Sequence, residues 1–173
     1  MAATKKRADT KKRSQDKVEQ TEMDAVSALE LLKEDHQEVD GFFDEYETLE
    51  DAGEKERIAL KICLALTVHT QIEEEIFYPA VREAIEKSEL IDEAIVEHAA
   101  AKQLIAEIEE MDPAEELYDA KVKVLGEQVR HHVEEEEDKL FPEIESSELD
   151  LEAIGKKMAE RKAALLKETT PEK

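Results

Sequence analysis

The chain of 173 residues has a net charge of −23, with 41% charged and only 4% aromatic side chains. Four glycines, four prolines and no tryptophan are typical of long solvated helices and argue against a β-sandwich or barrel. The length suffices for one ordinary domain with tails, so we expect an all-α helical bundle with a single core.

The charge is unevenly distributed along the chain. Residues 1–17 contain seven basic and two acidic side chains, so the rest of the chain carries a net charge of −28. Such an acidic body repels nucleic acid and anionic membranes, and we expect neither as a main partner. We interpret residues 1–23 as a disordered basic tail, which could itself touch either polyanion.

The cellular location is suggested by what the sequence lacks. We expect no signal peptide and no membrane span, because no apolar run has the required length. Cys63 is the only cysteine, which excludes an intramolecular disulfide and is consistent with a cytoplasmic protein. Its apolar neighbours predict a buried structural thiol rather than a reactive one.

Apolar residues that repeat at spacings of three and four predict helices. The first runs from about residue 24 to 50 and the second from about 54 to 78. Pro79 is expected to end or kink the second helix, because proline lacks the N–H that a helix interior requires. A short helical continuation follows over residues 80–87.

A second pair of helices follows the first. The third predicted helix runs from about residue 89 to 111, and its apolar face includes Ile95. Asp112 is a candidate N-cap for the fourth helix, with Pro113 at its first helical position. The fourth helix should extend as far as Pro142.

The last predicted element is an amphipathic helix over about residues 149–166, which we expect to pack outside the bundle. These elements divide the chain after the tail into a four-helix bundle over residues 24–145 and a C-terminal helix and tail over residues 146–173.

Each of the four long helices carries a histidine on its apolar face, namely His36, His69, His98 and His132. Glu73 and Glu136 each follow one of these histidines by four residues. Side chains four residues apart on a helix point the same way. Imidazoles and carboxylates that converge from four helices describe a dinuclear metal site, as in carboxylate-bridged di-iron bundles.

The chain also contains two copies of one helical hairpin. The first two of these histidines are 33 residues apart and the last two are 34 apart. A proline follows ten residues after both His69 and His132. The repeat predicts a pseudo-twofold bundle. Its second hairpin is out of register by about five residues, roughly 7 Å, which an irregular start of the fourth helix would absorb.

A single histidine four residues before a glutamate carries little information, because 35 of the 173 residues are glutamate. One such histidine is more often a hydrogen-bonded core residue, but four of them with two inward carboxylates favour a metal. His131 is followed by Glu135 in the same way, yet it lies about 100° off the inward face. We interpret His131 as exposed or as an outer neighbour of the site, and as the best candidate for an extra ligand. Asp40, four residues after His36, could approach the site, but its neighbours indicate a solvated residue.

Mixed imidazole and carboxylate ligands suit iron, manganese or zinc. Two bridging carboxylates and four terminal imidazoles would give each of two metals four protein ligands. An octahedral ion would then keep positions for an oxo or hydroxo bridge and for an exogenous ligand. Such a site is reactive, unlike the closed four-ligand shell of structural zinc.

These motifs, with the runs EEEIFYP at residues 73–79 and EEEEDKLFP at 134–142, resemble the hemerythrin-like HHE cation-binding family over about residues 27–145. The resemblance implies an up-down-up-down four-helix bundle around a non-haem di-iron centre. Glu73 and Glu136 would bridge the two irons and the four histidines would be terminal ligands. Members of the family bind O2, sense oxygen or redox state, act on peroxide or nitric oxide, or maintain iron centres, and the fold does not choose among these roles.

The chain departs from the oxygen-carrying hemerythrins at one position. They have a further histidine one turn after the third-helix ligand, where this chain has Lys102. One iron would then have fewer protein ligands, unless His131, a tyrosine or water takes that place. We therefore predict a protein that binds O2 or a related small oxidant at an open iron position. The alternatives are an enzyme that removes peroxide or nitric oxide, and an iron-donating or iron-centre maintenance protein.

Overall fold

The structure is a computed structural model that describes residues 26–86 and 88–169. The predicted basic tail over residues 1–23 lies outside the described residues. Within the described part, all regular secondary structure is helical and no strand is present. None of the helices in these ranges is long and apolar enough to cross a bilayer.

Seven α-helices follow one another in this part of the chain: α1 (Ala28–Thr48), α2 (Ala52–Ile72), α3 (Tyr78–Arg82), α4 (Ser88–Glu110), α5 (Tyr118–Glu135), α6 (Phe141–Glu145) and α7 (Leu151–Thr169). Two π-helical turns, Glu73–Phe77 and Glu136–Leu140, join α2 to α3 and α5 to α6. These two joined helices form the predicted four-helix bundle with α1 and α4. Helix α1 packs on α2 and α4 packs on α5, and the short α1–α2 connection makes that pair antiparallel.

The helix does not end at Pro79, and the predicted helical continuation beyond the proline is confirmed. A π-helical turn precedes the proline, and in it the Tyr78 N–H donates to the carbonyl of Glu73, five residues back. This wider turn changes the hydrogen-bond pairing just before the residue that has no N–H to donate. The helix then continues to Arg82, short of the predicted end at residue 87.

The second hairpin repeats this arrangement. The Phe141 N–H donates to the carbonyl of Glu136, and Pro142 follows within α6. The predicted end of the fourth helix at Pro142 is therefore wrong, since α6 extends to Glu145. In both copies the glutamate of the H-x-x-x-E motif is the first residue of the π-helical turn.

The fourth helix begins later than predicted. The Asp112 side chain accepts from the Ala114 N–H at 2.9 Å, and the Glu115 side chain accepts from the Asp112 N–H at 2.9 Å. This capped turn does not continue as a helix, so Pro113 is not a first helical position, and α5 begins at Tyr118. The fourth helix therefore has the irregular start that was predicted from the register mismatch between the two hairpins.

The histidines divide the bundle core into two apolar clusters. On α1, Leu32 belongs to one cluster and Val39 to the other, with His36 between them. On α4, Ala94 and Ala101 lie on either side of His98 in the same manner. A layer of polar side chains therefore lies across an otherwise apolar interior.

The apolar face of α4 differs from the prediction at one residue. Ile95 is 40% exposed rather than inward. The buried stripe instead uses smaller residues close to the histidine and comprises Ile91, Ala94, His98, Ala101, Ile105 and Ile108. Since Ala94 occupies the inward position, Ile95 lies about 100° further round the helix.

Helix α7 covers the outside of the first hairpin. It packs against α1, α2 and the first π-helical turn. Met158 is fully buried. Gly155 allows the closest approach, because a Cβ there would lie 2.2 Å from the carbonyl oxygen of Val26. The predicted C-terminal helix therefore lies against the helices that carry His36 and His69.

Candidate metal centre

The six predicted ligands lie together in the interior, and none is more than 7% exposed. The histidines come from the four bundle helices, and the two glutamates open the π-helical turns. Their potential ligand atoms form two groups in which all atoms lie within 4.8 Å of one another: His36, His69, Glu73 and Glu136 in one, and Glu73, His98 and His132 in the other.

The histidines form two pairs, one from each hairpin. The ring centroids of His36 and His69 are 4.9 Å apart, and those of His98 and His132 are 4.7 Å apart. This arrangement follows the pseudo-twofold repeat of the sequence, because each pair joins the two helices of one hairpin.

Glu73 reaches both pairs. Its Oε2 lies 3.2 Å from His69 Nε2, one helical turn back, and 3.3 Å from His98 Nε2 on α4. A carboxylate within reach of one histidine from each pair is in a position to bridge two ions.

Glu136 takes the equivalent position in the second copy of the repeat. Its Oε2 lies 3.4 Å from His36 Nε2 and 3.6 Å from His132 Nε2. Each carboxylate therefore contacts a histidine of its own hairpin and a histidine of the other hairpin.

Each histidine also has an outer carboxylate partner on its Nδ1 atom, which the sequence analysis did not identify. These partners are Glu137 at 2.8 Å from His36, Asp35 at 3.4 Å from His69, Glu74 at 3.0 Å from His98, and Glu97 at 2.8 Å from His132. Every partner is the chain neighbour of one predicted ligand, yet it orients a histidine on a different helix. An acidic residue beside each ligand was a visible signal, but glutamate is too frequent in this chain for it to be decisive.

These outer contacts determine where the protons lie. A carboxylate only accepts hydrogen bonds, so each Nδ1 carries the proton and the Nε2 of a neutral ring presents a lone pair to the interior. No hydrogen-bond partner satisfies the Nε2 atoms of His36 and His69, either oxygen of Glu73, or Oε2 of Glu136. Buried acceptors that face one another repel unless a proton or a cation lies between them, so these residues fit a bound metal.

Protons offset part of this repulsion when no cation is bound. Burial opposes the charging of His132, but its contacts with Glu97 and Glu136 outweigh burial and raise its pKa to about 9. Burial also opposes the charging of His36, and the neighbouring Glu136 carboxylate nevertheless raises its pKa. Burial would raise the pKa of Glu136, but His36 and His132 lower it to about 2. A cation that binds here must therefore displace protons from imidazoles.

Tyr78 makes the two halves of the site unequal. Its hydroxyl donates to Glu136 Oε1 at 2.8 Å and lies 3.4 Å from His98 Nε2. The equivalent residue in the second copy is Phe141, whose ring stacks on His36 with centroids 6.1 Å apart. Tyr78 is thus the tyrosine that approaches the half of the site with fewer potential ligands.

Two residues lie outside the buried groups: Lys102, at the position of the further hemerythrin histidine, and His131, the candidate extra ligand. Lys102 donates to both carboxylate oxygens of Glu74 at 2.7 Å, and this ion pair holds its ammonium group outside the histidine pair. His131 has 63% of its side chain exposed and lies beside Glu97 and Glu135 at the surface. The interpretation of His131 as an exposed residue is confirmed.

Two further interpretations are also confirmed. Asp40 is exposed and accepts from Arg130 at 2.8 Å, so it does not enter the site. Cys63 is fully buried, and burial together with the charge of Glu109 raises the pKa of its thiol to about 12.

Helix α7 reaches the site through Asp35, the outer partner of His69. Lys162 pairs with Asp35, while Arg161 donates to both oxygens of Glu75 in the first π-helical turn, at 2.7 and 3.1 Å. Burial would raise the pKa of Asp35, but the contacts with His69 and Lys162 lower it. The ionised form of the carboxylate that orients His69 is therefore favoured by His69 itself and by a contact from outside the bundle.

A cavity of about 300 Å³ adjoins the histidines. All four buried histidines line it, but neither Glu73 nor Glu136 does. Most of its other lining residues are apolar, among them Val39, Ala65, Ala101, Val129 and Val133. The cavity thus gives the histidines an apolar neighbourhood to which Glu73 and Glu136 do not contribute.

The chain is similar to known proteins in both sequence and fold. Over 122 residues the chain is 29% identical to a DNA nickase from Nostoc sp. (strain PCC 7120 / SAG 25.82 / UTEX 2576), a match that covers 70% of this chain and 34% of that protein. The chain thus spans about a third of the length of this relative. The crystal structure of a hemerythrin HHE cation binding domain-containing protein from Mycobacterium kansasii has the same fold. Its TM-score is 0.71 at 24% identity, over 83% of this chain and 89% of that one.

The family itself is identified by a match to the hemerythrin HHE cation binding domain over residues 27–144. The match includes all four bundle helices and all six predicted ligands. The chain therefore belongs to the hemerythrin HHE cation-binding domain family.

Proposed function

We propose that this protein holds two iron ions at His36, His69, Glu73, His98, His132 and Glu136 and binds O2 or a related small oxidant at an open iron position. Such binding would serve oxygen or redox sensing or handling. When bound, a pair of irons supplies exchangeable coordination positions and one-electron redox steps.

The observation that carries the proposal is the set of buried acceptors without hydrogen-bond partners. Five inward nitrogen and oxygen atoms of His36, His69, Glu73 and Glu136 have none. Their burial would destabilise the fold if no positive charge lay between them. Manganese or zinc would also bind these ligands, so the identity of the metal must be tested by measuring the metal content.

Unequal donor numbers support an open position. One group offers four potential ligand residues and the other offers three. Lys102, one turn after His98, is held by Glu74 and does not complete the smaller group. The His98–His132 side is therefore where we place the exogenous ligand.

The apolar cavity supports a small uncharged ligand. It brings apolar side chains next to all four histidines, and its volume of about 300 Å³ accommodates O2, nitric oxide or peroxide. Water and ions gain little from such a lining, whereas a neutral diatomic molecule loses little hydration on entering it.

The protein's own contribution is to orient the imidazoles. Each Nδ1 proton is held by a carboxylate at 2.8–3.4 Å, which fixes the tautomer and ring orientation and raises the basicity of Nε2. The hydroxyl of Tyr78 fixes one oxygen of Glu136 and leaves the other free to face the histidines.

The test is to load metal-free protein with Fe2+ without oxygen and to measure both the metal content and the optical spectrum. The spectrum is recorded before O2, after O2 and after deoxygenation. Two irons per chain with charge-transfer bands that appear and reverse would support the proposal. Retention of well under two irons, or the absence of any spectral change, would contradict it. The variant Glu134→Gln, an exposed substitution on α5, serves as the control and should retain as much iron as the wild type.

An enzyme that removes peroxide or nitric oxide is the second candidate. It is favoured by Lys102, which stands where the oxygen-carrying hemerythrins have a further histidine ligand, so that one iron would have a free coordination position. In that case the optical bands would persist after deoxygenation. Peroxide or nitric oxide turnover above the level of free iron should be lost in Glu73→Ala and Glu136→Ala. An iron-donating protein would instead surrender its iron to an acceptor or chelator without turnover.

We do not extend DNA cleavage to this chain. The similarity covers 34% of the nickase. The net charge of −23 also opposes the approach of a phosphate backbone.

A further inference from the structure

A second cluster of possible ligands lies at the surface outside the buried centre. His131 and Glu135 are four residues apart on α5, and Glu97 faces them from α4. His131 Nε2 lies 3.8 Å from Glu97 Oε1 and 4.0 Å from Glu135 Oε2. One potential ligand atom from each residue lies within 4.8 Å of the other two. An imidazole and two carboxylates at this spacing can surround one first-row divalent cation.

The surface cluster is connected to the buried centre through Glu97. One oxygen of this carboxylate faces His131, and the other accepts from Nδ1 of His132 at 2.8 Å. Glu97 therefore belongs to the surface cluster and also orients a predicted ligand of the buried centre.

A small cavity lies between the two sets of ligands. Its volume is about 10 Å³, comparable to one water molecule, and it is lined by Glu97 and Glu135 together with His132 and Glu136. Glu136 is 2% exposed and its Oε2 has no hydrogen-bond partner. A buried carboxylate with an unpaired oxygen thus borders the space behind the surface cluster.

We propose that His131, Glu97 and Glu135 form a loading site, which captures a divalent cation from solvent and passes it to the buried centre. This inference rests on the proposed function, because it requires a buried centre that receives the cation. The strongly acidic surface raises the local cation concentration. Lys139 competes for the site, because it pairs with Glu135.

The first experiment uses Co2+ as a probe on the metal-free full chain. We expect a weaker third Co2+ per chain in addition to the buried ions. The third Co2+ should be lost in the double variant His131→Ala with Glu135→Gln. It should remain in Glu134→Gln, which removes one negative charge from an exposed position on the same helix. If the double variant still binds the third ion, the cluster is not a cation site.

The second experiment measures the rate of anaerobic Fe2+ uptake into the buried centre. In the double variant the rate should fall about tenfold, the lower end of what electrostatic focusing gives. The final iron content should match that of wild type. Lys139→Gln should accelerate uptake, because it releases Glu135 from its ion pair. An unchanged rate in all variants would overturn the loading role, even if the third Co2+ binds.

The two proposals fail in different ways. If wild type retains two irons and the double variant loads at the same rate, the loading site is wrong and the di-iron centre stands. If wild type does not retain two irons, the di-iron proposal fails. The loading role fails with it, and a third Co2+ that depends on His131 would remain as a separate surface site.

Discussion

The Nε2 atoms of His98 and His132 lie 3.1 Å apart, although 34 residues separate the two histidines in the chain. Their Nδ1 atoms point outward to Glu74 and Glu97. Two Nε2 atoms at this distance can share a proton or face a common ion, but two lone pairs would repel each other. The contact therefore links the proton content of the site to its cation content.

We expect cation affinity to rise with pH. His132 has a pKa of about 9 and therefore carries an extra proton near neutral pH when no metal is bound, and the raised pKa of His36 favours its protonated form as well. A cation must displace these protons. Competition from protons weakens as the pH approaches 9, and the cation affinity therefore rises. Calorimetric titration with Zn2+ in buffers of different ionisation enthalpy should show net proton release at pH 7. Binding without proton release would contradict the assignment.

The stability of the metal-free chain should change with pH in the opposite direction. The folded pKa of His132, about 9, lies above its ordinary value of 6.5. The stabilisation from this group is complete below pH 6.5 and is lost as the pH rises through 9. Urea unfolding of metal-free protein should therefore give a lower free energy of unfolding at pH 9 than at pH 6.5. Equal values at both pH values would show that His132 is not protonated in the folded chain.

Replacing either inner carboxylate should affect both histidine pairs. Glu73 and Glu136 each lie within 3.6 Å of a histidine from each pair. Outer partners alone are worth 10–100-fold in metal affinity, so we expect Glu73→Gln or Glu136→Gln to lower it by more than about 100-fold. Metal content after desalting measures the effect, with Glu134→Gln as the control. Full retention of two ions in either variant would exclude a bridging role.

Lys162 should influence the site although it lies on α7. The substitution Lys162→Met removes the partner that holds Asp35 beside His69. We expect about a tenfold loss of cation affinity with unchanged helix content, because the imidazole loses its orienting contact. Lys162→Arg should restore most of the affinity, and Lys157→Met, at an exposed position on the same helix, should have no effect. Equal affinities in all three variants would limit α7 to a packing role.

Gly155 should be required for the position of α7. In Gly155→Ala the new Cβ would lie 2.2 Å from the Val26 carbonyl oxygen and 2.7 Å from the Ala28 nitrogen. Backbone atoms cannot move aside as a flexible side chain does, so we expect a loss of about 1–3 kcal/mol in the free energy of unfolding. Gly41→Ala is the matched control, because nothing beyond its chain neighbours and the backbone of its own helix lies within 4 Å of its added Cβ. The control should be neutral or stabilising by up to about 1 kcal/mol, since alanine favours a helix over glycine. Equal stability of both variants would show that α7 does not need this close approach.

The sequence by itself predicted the helices and the convergence of the six candidate ligands in the interior of the bundle. Helical periodicity is local, so it placed His36, His69, His98 and His132 on inward faces, and the repeat implied that those faces meet. The five-residue mismatch between the hairpins also predicted the irregular segment before Tyr118. The hydrogen-bond pattern within a helix could not be predicted from the sequence, because the spacing of apolar residues does not distinguish a π-helical turn from an α-helical one. The π-helical turns before Pro79 and Pro142 were therefore not predicted, although a helical continuation after Pro79 was.

The outer contacts were decided only by the tertiary structure. Asp35 follows Glu34 and precedes His36 in the chain, yet it orients His69 and pairs with Lys162 from α7. In a chain with 35 glutamates, sequence cannot show which carboxylates are buried beside an imidazole. Those pairings depend on how the helices are rotated against one another. Because that rotation results from the packing of the whole bundle and α7, the partner of each histidine emerges only when the chain is folded.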